Sequence, residues 1–151
     1  MVDIVTPEVR SRMMAGIRSA NTTPELILRA GLHRLGFRFR LHQRRLPGCP
    51  DLVFPKYHAV LFVHGCFWHG HSCHLFKWPS TRADFWKKKI SNNRSVDERA
   101  VAALKEDGWR VGTVWECALK GRTRISVDEV IGRCALWLRS TRSVSEIEGL
   151  L

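Results

Sequence analysis

The sequence has no apolar run near the ~18 residues needed to cross a bilayer, and its first residues lack the apolar core of a secretion signal. A membrane protein is therefore not expected, and the expected location is the cytoplasm. Low-complexity tracts, internal repeats and Pro/Gly/Ser linkers are also missing, so residues 1–151 are read as one domain. Acidic residues are scarce: 14 Asp+Glu stand against 25 Lys+Arg, a net charge of +11 with a pI near 10.2. From Leu26 to Pro50 there is no acid at all, but there are six arginines: Arg29, Arg34, Arg38, Arg40, Arg44 and Arg45. A second basic stretch, Lys77 to Arg94, has six cations against Asp84 alone. Such an excess favours a polyanion, because each neutralised phosphate releases condensed counterions. Nucleic acid is the expected partner.

Five cysteines, an odd number, sit near histidines rather than in a ladder of pairs. Without a secretion signal this reads as metal ligation in a reducing compartment. Cys66, His71 and Cys73 place three soft or borderline ligands within eight residues, and Cys117 offers a distant fourth. Cys₃His is a closed tetrahedral set of the structural-zinc type. His74 in place of His71, or Cys49 or Cys134 in place of Cys117, would give the same count.

Periodicity and turn signals predict the order helix, helix, strand, strand, strand, helix, strand, helix. Thr6-Pro7-Glu8 opens a helix to about Arg18 within an N-terminal arm, residues 1–20. Thr23-Pro24-Glu25 opens a second, with Thr23 as cap and Leu26, Ile27, Ala30 and Leu35 as its apolar face, ended by Gly36. Phe37–Leu41 alternates as a strand. Asp51–Phe54 and Ala59–Val63 follow, the latter unbroken in apolar residues as in a buried central strand. Helix is expected over Ala83–Asp107, strand over Trp109–Trp115 and helix over Val127–Ser140, with residues 141–151 a tail. The fold class implied is α/β, a mixed β-sheet flanked by helices.

Candidate chemistry lies between the second strand and the irregular segment after the third. Asp51, after Pro50 at the mouth of a strand, is of the type that holds Mg²⁺ beside a phosphodiester. His64 and His69 flank Cys66-Phe67-Trp68, and neutral imidazoles are suited to proton transfer near pH 7. Phe67 and Trp68, adjacent on a loop, cannot both face one core. They suit a wedge that unstacks base pairs, and Trp86, beside Lys87-Lys88-Lys89, could join it. On the stripe of the Ala83 helix, Asn93 and Asp97 fall at inward positions and need polar partners.

These residues together resemble the very-short-patch repair (DNA mismatch) endonucleases. The matching segments are Arg12-Met-Met-Ala-Gly-Ile-Arg18, Asn21-Thr-Thr-Pro-Glu25, Leu46-Pro-Gly-Cys-Pro-Asp51, Val63-His-Gly-Cys-Phe-Trp-His69, His71-Ser-Cys73, Phe85-Trp86 and Trp115-Glu-Cys-Ala-Leu119. The resemblance implies a restriction-endonuclease-like core with a structural Zn²⁺ on Cys66, His71, Cys73 and Cys117. It also implies Mg²⁺-dependent nicking of one strand of double-stranded DNA, 5′ to the thymine of a T·G mismatch left by deamination of 5-methylcytosine. A cytosine-5 DNA methyltransferase is the implied functional companion, and a nucleoid-associated monomer suffices for one nick.

By position, Asp51 and the backbone carbonyl of Val63 match the Mg²⁺ ligands. His69 matches the general base, with Glu25 its orienting partner, and His64 and Asp97 a second pair near the phosphate, with Asn93 alongside. Phe67, Trp68 and Trp86 match the intercalating wedge. Val63-His64-Gly65 departs from the Glu-x-Lys of many related nucleases, and Val63 itself replaces a frequent Thr. Gly70 and Ser72 stand where a denser histidine or acidic run is frequent. On the residues alone, a non-catalytic zinc-containing DNA-binding module or a restriction-type nuclease acting on other DNA remains the alternative.

Overall fold

The computed structural model describes residues 21–150, so the helix expected over Pro7–Arg18 lies outside the described residues. The first described helix, α1 (Thr23–Arg34), has Thr22 rather than Thr23 at the N-cap position, with no side-chain capping bond, and Pro24 in the first turn where its missing N–H costs nothing. Its buried stripe is Glu25, Leu28 and Leu32, one face at i, i+3 and i+7. The face expected from Leu26 and Leu35 is instead exposed, at 46% and 48%. An acid therefore sits on the buried side of the helix.

Five strands form one sheet in the order β1 (Arg40–Leu41), β2 (Leu52–Phe54), β3 (Ala59–His64), β4 (Arg110–Trp115) and β5 (Val144–Ile147). β2 is antiparallel to both of its neighbours, β1 and β3, while β3, β4 and β5 are parallel. The alternation over Phe37–Leu41 yields only two paired residues, because Phe37 leaves the sheet to pack in the core against Phe54 and Tyr57. Between β2 and β3 a tight turn at Pro55–Tyr57 ends on His58 in the left-handed region (φ +50°).

Two layers of helix cover the sheet. One face packs α1 and α3 (Val127–Arg139) over Leu28, Leu32, Phe54, Leu61, Val130 and Leu138. The other carries α2 (Ala83–Glu106), whose Leu104 packs on Val53, Val60, Phe62 and Val111. Ala59, Val60, Leu61 and Phe62 are buried, as the unbroken apolar run requires of a strand covered on both sides. Gly112 in β4 admits the Trp137 ring: a Cβ there would fall 2.7 Å from it. α2 runs unbroken through Asn92-Asn93 and stops at Gly108 (φ +85°), an angle disfavoured for side-chain-bearing residues. No helix among the described residues is long and apolar enough to cross a membrane.

The C-terminal stretch differs from the tail expected over residues 141–151. Val144–Ile147 pairs in register with Val111–Val114 of β4, and Ile147 is 4% exposed. Four residues with one buried side chain carry almost no periodic signal; the open edge of β4 supplies what the sequence of β5 lacks. Ile147→Ala is expected to cost about 2–3 kcal/mol of stability, read as a lower urea midpoint at unchanged slope. A loss below about 0.5 kcal/mol would mean that this strand adds nothing to the folded state.

Candidate active site

A cleft of about 960 Å³ opens where β2, β3 and the segment after β3 meet α1 and α2. One wall is built on the β1–β2–β3 meander. Asp51 stands just before β2, and its Oδ2 accepts the Val63 N–H at 2.7 Å, which fixes the carboxylate against the last turns of β3. His42, in the left-handed region (φ +45°), sits opposite, its own N–H bonded to the Asp51 carbonyl at 3.1 Å. Its Nε2 meets Glu25 Oε2 at 2.8 Å, and Arg29 donates to the same oxygen at 3.1 Å. Asn21 N–H donates to Glu25 Oε1 at 3.2 Å. Glu25, 1% exposed, is thus fully partnered, as a buried carboxylate must be. One ligand atom each from Glu25, His42 and Asp51 falls within 4.8 Å of the others, which suits a divalent cation. Burial pushes the Asp51 carboxyl up to about 6; the Glu25 charge adds to the rise, and the Val63 amide and His42 oppose it.

The other wall follows β3. His64 closes the strand, and the turn after it returns the His69 N–H to the Gly65 carbonyl at 3.3 Å. The two imidazoles stack face to face, centroids 3.8 Å apart and 5° from parallel. His69 Nδ1 pairs with Asp97 Oδ2 at 2.5 Å. Burial, then the neighbouring His69, drives His64 down to about 3, against the opposing pull of Asp97, so its ring is neutral at physiological pH. Asn93, one turn before Asp97 on α2, donates from Nδ2 to the Trp68 carbonyl at 2.9 Å. Both inward polar positions of α2 therefore have partners, one an imidazole and one a loop carbonyl.

The pairing differs from the resemblance in one respect. Glu25 engages His42 and Arg29, and the carboxylate on His69 is Asp97, so His64 is left stacked on His69 rather than paired with Asp97. The reason is topological: α1 approaches the meander wall, whereas α2 runs along the loop that carries His69. His42 was not singled out in the sequence, where it reads as one more member of a basic run. The available signal was hairpin register, which sets residues 42 and 51 opposite each other.

Phe67 and Trp68 line the cleft, and Trp86 packs on both, the three rings in mutual edge-on and tilted contacts with centroids 5.3–5.8 Å apart. The two adjacent loop aromatics share one partner on α2 instead of dividing between core and solvent. All three rings stay partly exposed. Arg44 and Lys120 also line the cleft, which gives it cations for an anionic ligand.

Behind this wall Cys66, His71, Cys73 and Cys117 converge, with one donor atom from each within 4.8 Å of the others. Cys117 lies in the short turn Glu116–Ala118 directly after β4, and its Sγ is 3.6 Å from His71 Nδ1. Burial beside two further thiols pushes the Cys66 thiol up, a strain that a bound cation relieves. The alternatives fall away: His74 Nδ1 faces the Thr123 hydroxyl, Cys49 is exposed, and Cys134 is buried in α3. The cluster can hold a metal, and its donors fit a closed tetrahedral ion.

The chain matches a protein-family model described as DNA mismatch endonuclease Vsr over residues 2–75. It is 53% identical over 119 residues to the type II nicking enzyme V.XorIIP of Xanthomonas oryzae pv. oryzae, covering 79% of this chain and 88% of that enzyme. It is 40% identical over 148 residues to the DNA mismatch endonuclease Vsr of Escherichia coli K12, covering 98% and 95% respectively. A third relative, the type II nicking enzyme V.NmeAIP of Neisseria meningitidis, is 43% identical over 122 residues, 81% of this chain and 87% of that enzyme.

The raised Asp51 carboxyl yields a prediction. Between pH ~4 and ~6 the folded protein binds a proton there that the unfolded chain has released. This contribution to stability is therefore present at pH 4 and lost as pH rises through 6. In carboxyl-carbon NMR, Asp51 is expected to titrate near 6, with Mg²⁺ moving the midpoint down by competing with the proton. A midpoint near 4 that Mg²⁺ leaves unmoved would contradict the assignment.

Proposed function

Because this chain belongs to the DNA mismatch endonuclease Vsr family, and is on that ground a DNA endonuclease, we propose that it nicks one strand of duplex DNA 5′ to the thymine of a T·G mismatch. The observation that carries the reading is one cleft. It brings together an acid–imidazole wall, a stacked histidine pair with a carboxylate partner, and the rings of Phe67 and Trp68, against which Trp86 packs, in a chain of net charge +11.

Each group then has a task its geometry allows. Asp51 and the Val63 carbonyl, on the strand side that also bonds Asp51, would hold Mg²⁺, with Glu25 and His42 next to them. Bound there, the ion would polarise the scissile phosphate and neutralise its developing charge. Asp97 accepts a hydrogen bond from His69 Nδ1–H, which leaves the Nε2 lone pair free to accept a proton from the attacking water. His64, neutral and stacked on His69, fixes the plane of that ring. Asn93 acts through the Trp68 carbonyl, holding the loop rather than touching substrate. Phe67, Trp68 and Trp86 enter the stack at the mismatch, where the opened step costs a few kcal/mol and a mispaired step costs less. Zn²⁺ on Cys66, His71, Cys73 and Cys117 would fasten the loop to the end of β4.

In this reading the chain works as one domain and as a monomer in the cytoplasm, at the nucleoid. Its substrate arises where a cytosine-5 methyltransferase has acted and the product has deaminated. End-labelled duplexes carrying a T·G pair, a matched pair or a four-way junction, each incubated with Mg²⁺, test it. One nick confined to the T-strand of the mismatch is expected; double-strand cutting of matched DNA, or no cutting, would overturn it. Asp51→Ala should lower nicking on the order of a thousandfold while leaving DNA affinity in place. Trp68→Ala should instead weaken mismatch binding, by roughly 1–3 kcal/mol of lost stacking.

A further inference from the structure

The Cys66–His71–Cys73–Cys117 cluster is closed on its outer side by three consecutive residues that directly follow β5. Glu148 Oε2 lies 2.6 Å from His71 Nε2. A carboxylate only accepts, so this bond puts the ring proton on Nε2 and leaves the Nδ1 lone pair facing the thiols, 3.6 Å from Cys117 Sγ. That tautomer is the one a metal ligand needs. Trp115 stacks on the other side of the His71 ring at 4.1 Å and 12°, and its Nε1 is tied to Glu146 Oε1 at 2.7 Å. Ring position, tilt and tautomer of His71 are all set from β4 and β5.

The next residue acts on the sulfur. Gly149 N–H donates to Cys117 Sγ at 3.3 Å, a bond that stabilises negative charge on a thiolate. Only glycine lets the backbone come so near: a Cβ would fall 2.4 Å from the Cys117 carbonyl and 2.5 Å from the Thr123 hydroxyl. Leu150 N–H then bonds the Thr123 carbonyl at 2.7 Å and pins the segment. Two of the four donors are therefore held by residues 148 and 149, immediately after the last strand.

We propose that Glu148 and the Gly149 amide form the outer shell of this metal site, so that metal occupancy and docking of the β5 segment are one coupled equilibrium. The inference rests on reading the cluster as a Zn²⁺ site. It makes the C-terminal segment part of the metal centre. Removing the ion loosens β5 from β4, and removing the Glu148 carboxylate loosens the ion.

The test uses full-length protein loaded with one equivalent of Zn²⁺, with release to a chromogenic chelator and backbone hydrogen exchange as readouts. Glu148→Ala should bind Zn²⁺ about 10–100-fold more weakly, with Glu148→Gln between it and the wild type because its amide oxygen still accepts from His71. Val144–Ile147 amides should exchange faster in Glu148→Ala and in chelated wild type, while those of β3 stay protected. Wild type that binds no Zn²⁺ would overturn the metal reading and the inference together. Wild type that binds one Zn²⁺, with Glu148→Ala releasing it at the same rate and β5 exchange unchanged, would overturn the inference alone. Glu148 is half-exposed and makes no core contact, so the variant is expected to fold.

Discussion

The segment from Gly65 to Ser80 has no regular structure of its own, yet it carries both imidazole and aromatic groups to the cleft. Its position rests on the convergence of Cys66, His71 and Cys73 on Cys117, which sits just past the end of β4. None of the loop's large apolar side chains, Phe67, Trp68, Leu75, Phe76 and Trp78, is fully buried, so hydrophobic burial offsets its ordering entropy only in part. The cluster ties three points on the loop to one on the sheet, and the Cys66 amide adds a bond to Glu116. The same loop carries His69 to Asp97, and Phe67 and Trp68 to Trp86. The aromatic cluster and the histidine pair thus stand on one loop next to that convergence.

The cleft also depends on two helices that reach it from opposite sides of the sheet. α1 brings Glu25 on its buried stripe to the meander wall, and α2 brings Asn93 and Asp97 to the loop. Each helix thus places polar residues on an inward face, which costs stability unless every group is satisfied. They are satisfied, and no buried side-chain polar atom among the described residues lacks a partner. A fold that carries acids and amides inward at the sheet's carboxyl end is arranged around a polar ligand.

Trp115 links the two centres. Its ring stacks on His71 on the side of the Cys₃His cluster and meets His64 edge-on at 5.3 Å on the cleft side. Because β4 ends at Trp115 and the turn holding Cys117 starts one residue later, the end of one strand sets both sites. The stacked His64–His69 pair stands on that support, which explains how a loop histidine can keep a fixed plane next to solvent.

Much of this was legible in the chain itself. The buried central strand, the long helix with its inward Asn93 and Asp97, and the Cys66, His71 and Cys73 ligands follow from local pattern, because each is encoded within a short window; Cys117 is one of several distant candidates, singled out by the family resemblance. What was not legible depends on contacts distant in sequence. Glu25 and His42 lie 17 residues apart and meet only through hairpin and helix packing. Glu148 reaches a histidine 77 residues earlier, from just past a strand whose four residues hold a single buried side chain. The pairing of His69 with Asp97 rather than Glu25 has the same origin, since nothing local says which helix faces which wall. A crystal structure with a T·G duplex and Ca²⁺ in place of Mg²⁺ tests the central claim most directly. The account predicts Phe67, Trp68 and Trp86 inserted at the mismatched step, with the phosphate 5′ to the thymine beside Asp51 and His69. Intact base stacking at the mismatch, or a duplex bound away from the cleft, would contradict it.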